Sequence, residues 1–286
     1  MCEIEWKGMV IDMSFDCELV GKIGSMALIN RELNELDYNT FSRIGKYLQP
    51  GYVWVSSGAV EIGKIDYYKR NDKYIEPEND ITKSLYASQG QCILMENYRK
   101  FIKPEYSVRQ ILLEHSHFND AEKSKYVKSL LTVSMKQKAI PIINYNDSVS
   151  NDEILKMELN EVRKNQESVA ECIDNDETAS RLAVLLKSKY LLILTSAEGL
   201  LKDAHDPSTL IKAVEGKDAD EVIDNMHELF GVCDGASRKG ANGMLAKLQY
   251  IQDPIKNGTT VIIGSPKYTI PDLLNGTVNR TIFRIR

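Results

Sequence analysis

A chain of 286 residues, 43% hydrophobic and 27% charged, holds enough apolar material for one large core or two modest ones. A net charge of -5 excludes the Lys/Arg excess on which phosphate-backbone binding rests, so a small molecule rather than nucleic acid is the expected partner. Five scattered cysteines without a C-x-x-C pair support neither a disulfide framework nor a zinc site. No apolar run reaches the roughly 18 residues of a membrane span, and "MCEIEWKGMV" lacks signal-peptide features, so no membrane partner and a cytoplasmic location are expected.

Short runs rich in Val, Ile and Leu alternate with longer segments of helical period, the pattern of parallel strands buried on both faces by crossover helices. The first strand is expected within "ELVGKIGSMALI" (18–29), followed by a helix over 37–48 that Asp37 can cap. A strand at 52–60, a solvated loop at 65–77 and a long helix at 81–102 come next. Then follow a strand at 107–114, a helix at 120–138 that opens acidic and closes basic, and a strand at 139–144. Residues 151–172 are polar but carry Ile154, Leu155, Met157, Leu159 and Val162 at helical spacing, the pattern of an inserted helix, with a lid and an interface both open. The last elements are a helix at 176–189, a strand at 190–196, a helix at 242–258 that Pro254 should end or kink, and a strand at 259–264. Nothing divides the chain into two domains, so residues 1–286 are expected to form a single α/β domain with two lobes.

In parallel sheets ligands gather beyond the carboxyl ends of the strands, and several strand ends here are polar or small. They are Gly24 and Ser25 after the first strand, Ser57 and Gly58 after the second, Asn144, Tyr145 and Asp147 after the fourth, and Thr195 and Ser196 after the fifth. Asp174, Asn175 and Asp176 stand together before a helix, more than one N-cap uses. Lys22 is the odd residue of its strand, since an ammonium among Leu19, Val20, Ile23 and Leu28 needs an anionic partner. "GKIGS" and "KGANGMLAK" have the composition of phosphate-approaching turns, although neither phosphate loop nor dinucleotide fingerprint occurs. His115 and His117 are read as a solvated loop without a third metal ligand, and His205 and His227 are isolated.

The ordered series "VGKIGSMAL", "VSSGAVEIG", "QGQCILMENY", "QILLE", "IPIINYNDSVS", "DNDETASRLA", "LLILTSAEGLL" and "GANGMLAKLQ" resembles the glutamate 5-kinase branch of the amino acid kinase superfamily over about 18–265. The resemblance implies a three-layer α/β/α sandwich with a mainly parallel sheet, an acceptor-side lobe at about 18–175, a nucleotide-side lobe at about 176–286, and a homo-oligomer. It implies transfer of the γ-phosphoryl group of ATP, with Mg2+, to a carboxylate. Lys22 and Lys247 would neutralise the transferring phosphate and Asp176 would hold them. Gly24, Ser25, Thr195 and Ser196 would line the nucleotide with Ala241, Asn242, Gly243, Met244 and Lys247, while Ser57, Gly58, Asn144, Asp147, Asp174 and Asn175 would meet the acceptor. An acidic amino acid is the implied acceptor. A nucleoside monophosphate such as UMP, or a regulator without turnover, is the alternative. The chain departs from the branch at Tyr145 and Ser196, in the insertion at 151–172, and in showing no counterpart of the C-terminal RNA-modification-type (PUA) domain of many relatives.

Overall fold

The computed structural model describes residues 15–166, 169–172, 174–203, 206–233 and 241–286, with the side chains of 230–233 and 241–243 outside the description. The chain opens with β1 (Cys17–Ile23), a 3-10 turn (Ser25–Leu28), β2 (Ile29–Asn30), β3 (Glu35–Leu36), α1 (Tyr38–Gly45), β4 (Tyr52–Ser56), α2 (Ala59–Asn71) and α3 (Asp80–Phe101). It continues through β5 (Ser107–Leu113), α4 (Ser116–Asn119), α5 (Ala121–Lys136), β6 (Ala139–Tyr145), α6 (Asp152–Asn165), α7 (Asn175–Leu185) and β7 (Ser188–Leu194). The last part holds β8 (Leu200–Leu201), β9 (Leu210–Ile211), β10 (Ala213–Gly216), α8 (Ala219–Cys233), α9 (Ala241–Tyr250), α10 (Gln252–Lys256), β11 (Thr260–Gly264), α11 (Ile270–Asn275) and β12 (Thr281–Ile285).

Eight strands form one sheet in the order β10-β12-β11-β7-β1-β4-β6-β5. The run from β11 to β5 is parallel throughout, whereas β12 lies antiparallel to β11 and carries β10 with it. Successive residues of a strand face opposite sides, so each apolar run feeds two cores. Val20, Val55, Ile143, Leu191 and Ile263 pack with Leu131 of α5, Leu182 of α7 and Val222 and Met226 of α8. Leu19, Ile23, Trp54, Ile142 and Leu192 pack with Phe41 of α1, Ile62 of α2 and Leu94 and Tyr98 of α3. The result is the expected three-layer α/β/α sandwich with a mainly parallel sheet. Among the described residues no helix is long and apolar enough to cross a membrane.

All six expected strands form, with shifts that have local causes. The first stops at Ile23 because the chain turns through a 3-10 segment, so 18–29 is not one strand. The second ends at Ser56, and helix α2 occupies most of the stretch read as a solvated loop at 65–77. That helix has a glycine rather than an apolar side chain at its closest contact: a Cβ on Gly63 would lie 1.9 Å from the Tyr86 carbonyl oxygen of α3. Backbone-to-backbone packing leaves only a short apolar stripe, Ala59, Ile62 and Ile65. Asp37, Asp120 and Asp174 cap α1, α5 and α7, accepting backbone N–H groups. The helix expected over 242–258 breaks at Ile251, and Pro254 sits in the first turn of α10, where its missing N–H costs no bond.

Candidate active site

The parallel register brings the strand ends level. Ile23 pairs with Ser56 on one side and Leu194 on the other, and Leu194 pairs with Gly264. Everything just beyond those residues faces one crevice, into which α2 and α7 point their N-termini. Gly58 makes the turn into α2 at φ 115°, a left-handed conformation that β-carbons disfavour.

At the centre of the crevice stands Asp176, 0% exposed. Its Oδ1 lies 2.6 Å from Lys22 Nζ and its Oδ2 2.6 Å from Lys247 Nζ. Three elements supply this bridge: the central strand β1, the first turn of α7, and α9. Burial pushes the Asp176 carboxyl up, but the charges and hydrogen bonds of Lys22 and Lys247 outweigh it and hold the group below the usual carboxylate range. Asp174 leaves Asp176 free for this task, because Asp174 is the residue that caps α7, accepting the Asp176 N–H at 2.9 Å. The buried Lys22 thereby has the anionic partner its sequence context demanded.

The lysine pair opens onto a cavity of about 630 Å³ whose wall includes Gly24, Ser25, Thr195, Ser196 and Met244. Gly24 stands directly beside that charge: a Cβ there would lie 3.7 Å from the Lys22 ammonium, an ordinary contact distance. Arg43 and Lys267 add positive charge to the wall, against Asp37 alone on the acidic side, and the sequence reading did not single them out. Ala241, Asn242 and Gly243 open α9 within the same turn as Met244, and their side chains lie outside the described residues.

A second group of predicted residues forms one hydrogen-bonded network. Asn175 Nδ2 donates to Ser57 Oγ at 2.8 Å and to Asn144 Oδ1 at 3.0 Å. Asn144 Nδ2 donates in turn to Gln91 Oε1 at 3.0 Å, and Asn175 Oδ1 is left buried without a donor among the described residues. From the core side, Trp54 Nε1 donates to Tyr98 Oη, and Tyr98 Oη donates to Ser56 Oγ beside Ser57. Gln91 and Tyr98 both come from α3, within the quoted "QGQCILMENY". A buried Gln in a helix was the available signal.

Asp147 sits outside that network and is half-buried. Burial and the nearby Glu61 carboxylate push its carboxyl up to about 6, with Lys83 opposing. Tyr145 does not enter the network through its side chain: burial pushes its phenol up to about 12, partly offset by a hydrogen bond to Ser150.

The insertion is docked rather than free. Asn119 donates Nδ2 to the Ala170 carbonyl at 2.7 Å and accepts the Ala170 N–H at 2.8 Å, and Glu177 accepts the Cys172 N–H at 2.8 Å. Leu155 and Leu159 face inward while Met157 is 70% exposed, so the expected apolar stripe divides between two faces. His115 corrects the solvated-loop reading: it is 4% exposed, with Nε2 3.2 Å from Glu158 Oε2 on α6. The described residues contain no group of three metal-ligating side chains.

The chain is similar in sequence to a glutamate 5-kinase of Streptococcus suis (strain 05ZYH33), 32% identical over 259 residues that cover 87% of this chain and 64% of that protein. A glutamate 5-kinase of Clostridium perfringens (strain 13 / Type A) is 29% identical over 280 residues, covering 93% of this chain and 94% of its own length. The chain thus spans just under two thirds of the first relative and nearly all of the second. Among solved structures, Giardia carbamate kinase shares the fold with a TM-score of 0.58 at 15% identity, over 94% of this chain and 99% of that one. The model of the amino acid kinase family matches residues 19–265, and the chain belongs to that family.

Proposed function

We propose that the chain is an ATP-dependent kinase that transfers the γ-phosphoryl group to a side-chain carboxylate, with glutamate as the acceptor. The observation that carries this reading is the single buried Asp176 carboxylate bonded to two ammonium groups, Lys22 and Lys247, that line a basic cavity. Phosphoryl transfer to a carboxylate needs no general base, because a carboxyl with a pKa near about 4.3 is already ionised at neutral pH. What remains is alignment and stabilisation of charge on the transferred group.

Lys22 and Lys247 meet that need, and Asp176 fixes both so that neither must reorganise as charge moves. The two lysines, the Ser25, Thr195 and Ser196 side chains and the uncrowded Gly24 suit a polyphosphate. MgATP, when bound, supplies the phosphoryl group and a divalent charge shared among its phosphates. The start of α9 at Ala241–Gly243 offers backbone N–H groups to the same anion. We assign Ser57, Gly58, Asn144 and Asn175 to the acceptor, whose ammonium group suits the open Asn175 Oδ1 and the Asp147 carboxylate. Asp174 acts there through its cap of α7.

The test is ADP release at saturating MgATP with glutamate, aspartate or UMP, with hydroxylamine present to trap an acyl phosphate. The expected result is glutamate-dependent ADP with equimolar hydroxamate. ADP release on UMP without hydroxamate moves the acceptor to a phosphate monoester, and nucleotide binding with no acceptor-dependent ADP makes the chain a regulator.

Asp147 adds a pH signature. The form that binds an ammonium group is the carboxylate, which accumulates as pH rises through about 6. The acceptor KM should therefore be flat above that pH and climb about tenfold per pH unit below it. Asp147→Asn should show a high KM without this slope, and an unchanged profile in that variant removes Asp147 from the acceptor site. The same shift has a stability sign: an unfolded Asp titrates near about 3.9, so the contribution of Asp147 falls as pH rises from there through about 6.

A further inference from the structure

A chain of polar groups reaches the acceptor end of the crevice from inside the core. Trp54 of β4 and Tyr98 of α3 are 0% and 1% exposed, and Phe41 packs edge-on against the Tyr98 ring with centroids 5.4 Å apart. Polar groups at that depth have to be met by the protein itself. These are met in series: Trp54 Nε1 lies 3.0 Å from Tyr98 Oη, Tyr98 Oη 2.8 Å from Ser56 Oγ, and Ser56 Oγ 3.1 Å from the Ser57 carbonyl oxygen.

The chemistry of the groups fixes the direction of the series. An indole nitrogen donates and does not accept, so Tyr98 Oη accepts from Trp54 and has its single proton left for Ser56. Burial pushes the Tyr98 phenol up, so that proton stays in place at any working pH. Ser56 Oγ, accepting from Tyr98, turns its own proton to the Ser57 carbonyl. Ser57 is thereby held on both sides of its Cα, because its N–H donates to the Ile23 carbonyl at 3.1 Å. On that backbone its Oγ accepts from Asn175 Nδ2 at 2.8 Å, which leaves the Ser57 proton for a bound molecule. Trp54 and Tyr98 themselves are too deep to touch one.

We infer that Tyr98 is a positioning residue of the acceptor site, acting through Ser56 to set the Ser57 carbonyl and with it the Ser57 hydroxyl that Asn175 engages. This rests on the assignment of Ser57 and Asn175 to the acceptor. In Tyr98→Phe the ring and its contact with Phe41 remain, but Ser56 Oγ loses its donor and is free to turn away from the Ser57 carbonyl.

Two measurements test the relay: steady-state kinetics with glutamate at saturating MgATP, and hydrogen exchange of the Asn175 side-chain amide followed by NMR in the full chain without substrate. Tyr98→Phe should raise the acceptor KM about three- to tenfold, the loss of about one hydrogen bond, with kcat and the nucleotide KM little changed. Ser56→Ala should do the same, and the double variant should be no worse than either, as two links of one series require. In each of these variants the Asn175 amide should exchange about tenfold faster than in the unaltered chain. Phe41→Leu is the structural control. It loosens the packing on the Tyr98 ring and lowers the melting temperature while keeping every bond of the series, so acceptor KM and Asn175 exchange should stay as they were. Unchanged KM and exchange in Tyr98→Phe and Ser56→Ala, additive effects in the double variant, or an equal rise of KM in Phe41→Leu each overturns the inference. Ser56→Ala removes a single small oxygen and decides the matter even if Tyr98→Phe does not fold. No glutamate-dependent ADP from the unaltered chain would overturn the kinase reading instead, and Asn175 exchange would still decide the relay.

Discussion

Asp176→Asn should lower turnover by about 10²–10³-fold, the loss typical of removing one preorganised electrostatic contact at a reacting centre. The substitution keeps the shape of the side chain and removes only its charge. Lys22 and Lys247, each 2.6 Å from a carboxylate oxygen, then face each other across a neutral amide, and their mutual repulsion drives them from the positions in which both point at the cavity. Stability should fall as well. Breaking a buried ion pair by removing one partner costs about 3–5 kcal/mol, and the lower end applies because Lys247 is partly open to solvent. Urea midpoints of the two proteins measure this.

A second substitution separates the structural from the catalytic contribution. Adding Lys247→Met to Asp176→Asn removes one of the two mutually repelling ammonium groups, so the urea midpoint should recover in part. Turnover should not recover, since the charge that would meet the transferred phosphoryl is gone. Recovery of both would reduce the bridge to a packing device. The pH dependence runs in a definite direction too. The Asp176 carboxyl is depressed in the folded state, so its stabilisation is present above the unfolded value of about 3.9 and is lost as pH falls through the folded one. The Asn variant lacks that acid-sensitive component, and its stability should vary less with pH at the acid end.

How much of this was legible in the chain depends on what kind of contact each feature uses. The strands β4, β6, β7 and β11 and most of β1 were readable because they are apolar on both faces, whereas β5, at the sheet edge with Arg109 and Gln110, was marked chiefly by Ile111, Leu112 and Leu113. Lys22 was readable for the opposite reason, as a charge where the pattern forbids one, and Asp174 to Asp176 because three cap-forming residues exceed one cap. The helix α2 was not readable, since its closest approach to α3 is made by Gly63 and Gly90 and only Ala59, Ile62 and Ile65 are left as a short apolar face. The strands β10 and β12 escaped notice because they lie toward one edge of the sheet, where charged residues interrupt the apolar run and Glu215, Arg284 and Arg286 pair on the surface. Asn119, Glu177 and His115 act across 51, 5 and 43 residues of chain, on Ala170, Cys172 and Glu158, and no local pattern signals such partners. The two departures near the acceptor belong together: Tyr145 interacts with Ser150, at the root of the insertion that Asn119 and Glu177 tie down.

The glycine contact that hid α2 also makes it fragile. Gly90→Ala should destabilise the chain by about 3 kcal/mol, the upper end of about 1–3 kcal/mol for ordinary overpacking. On helix propensity alone the change would gain about 1 kcal/mol, because alanine is the better helix former. The geometry reverses that sign. A Cβ on Gly90 would stand 1.8 Å from the Ala59 carbonyl oxygen and 2.4 Å from the Gly63 nitrogen, both backbone atoms of α2 that no rotamer change can move. The two helices must separate or tilt, and each carries part of the proposed acceptor end: α2 is entered through its N-cap Gly58, and α3 holds Gln91 on Asn144. The variant should therefore show a lower urea midpoint together with a raised acceptor KM at temperatures where it remains folded, while the nucleotide KM changes little, because the wall of the basic cavity takes no residue from α2 or α3. A loss shared equally by both substrates would mean that the helix pair supports the whole crevice instead of its acceptor end.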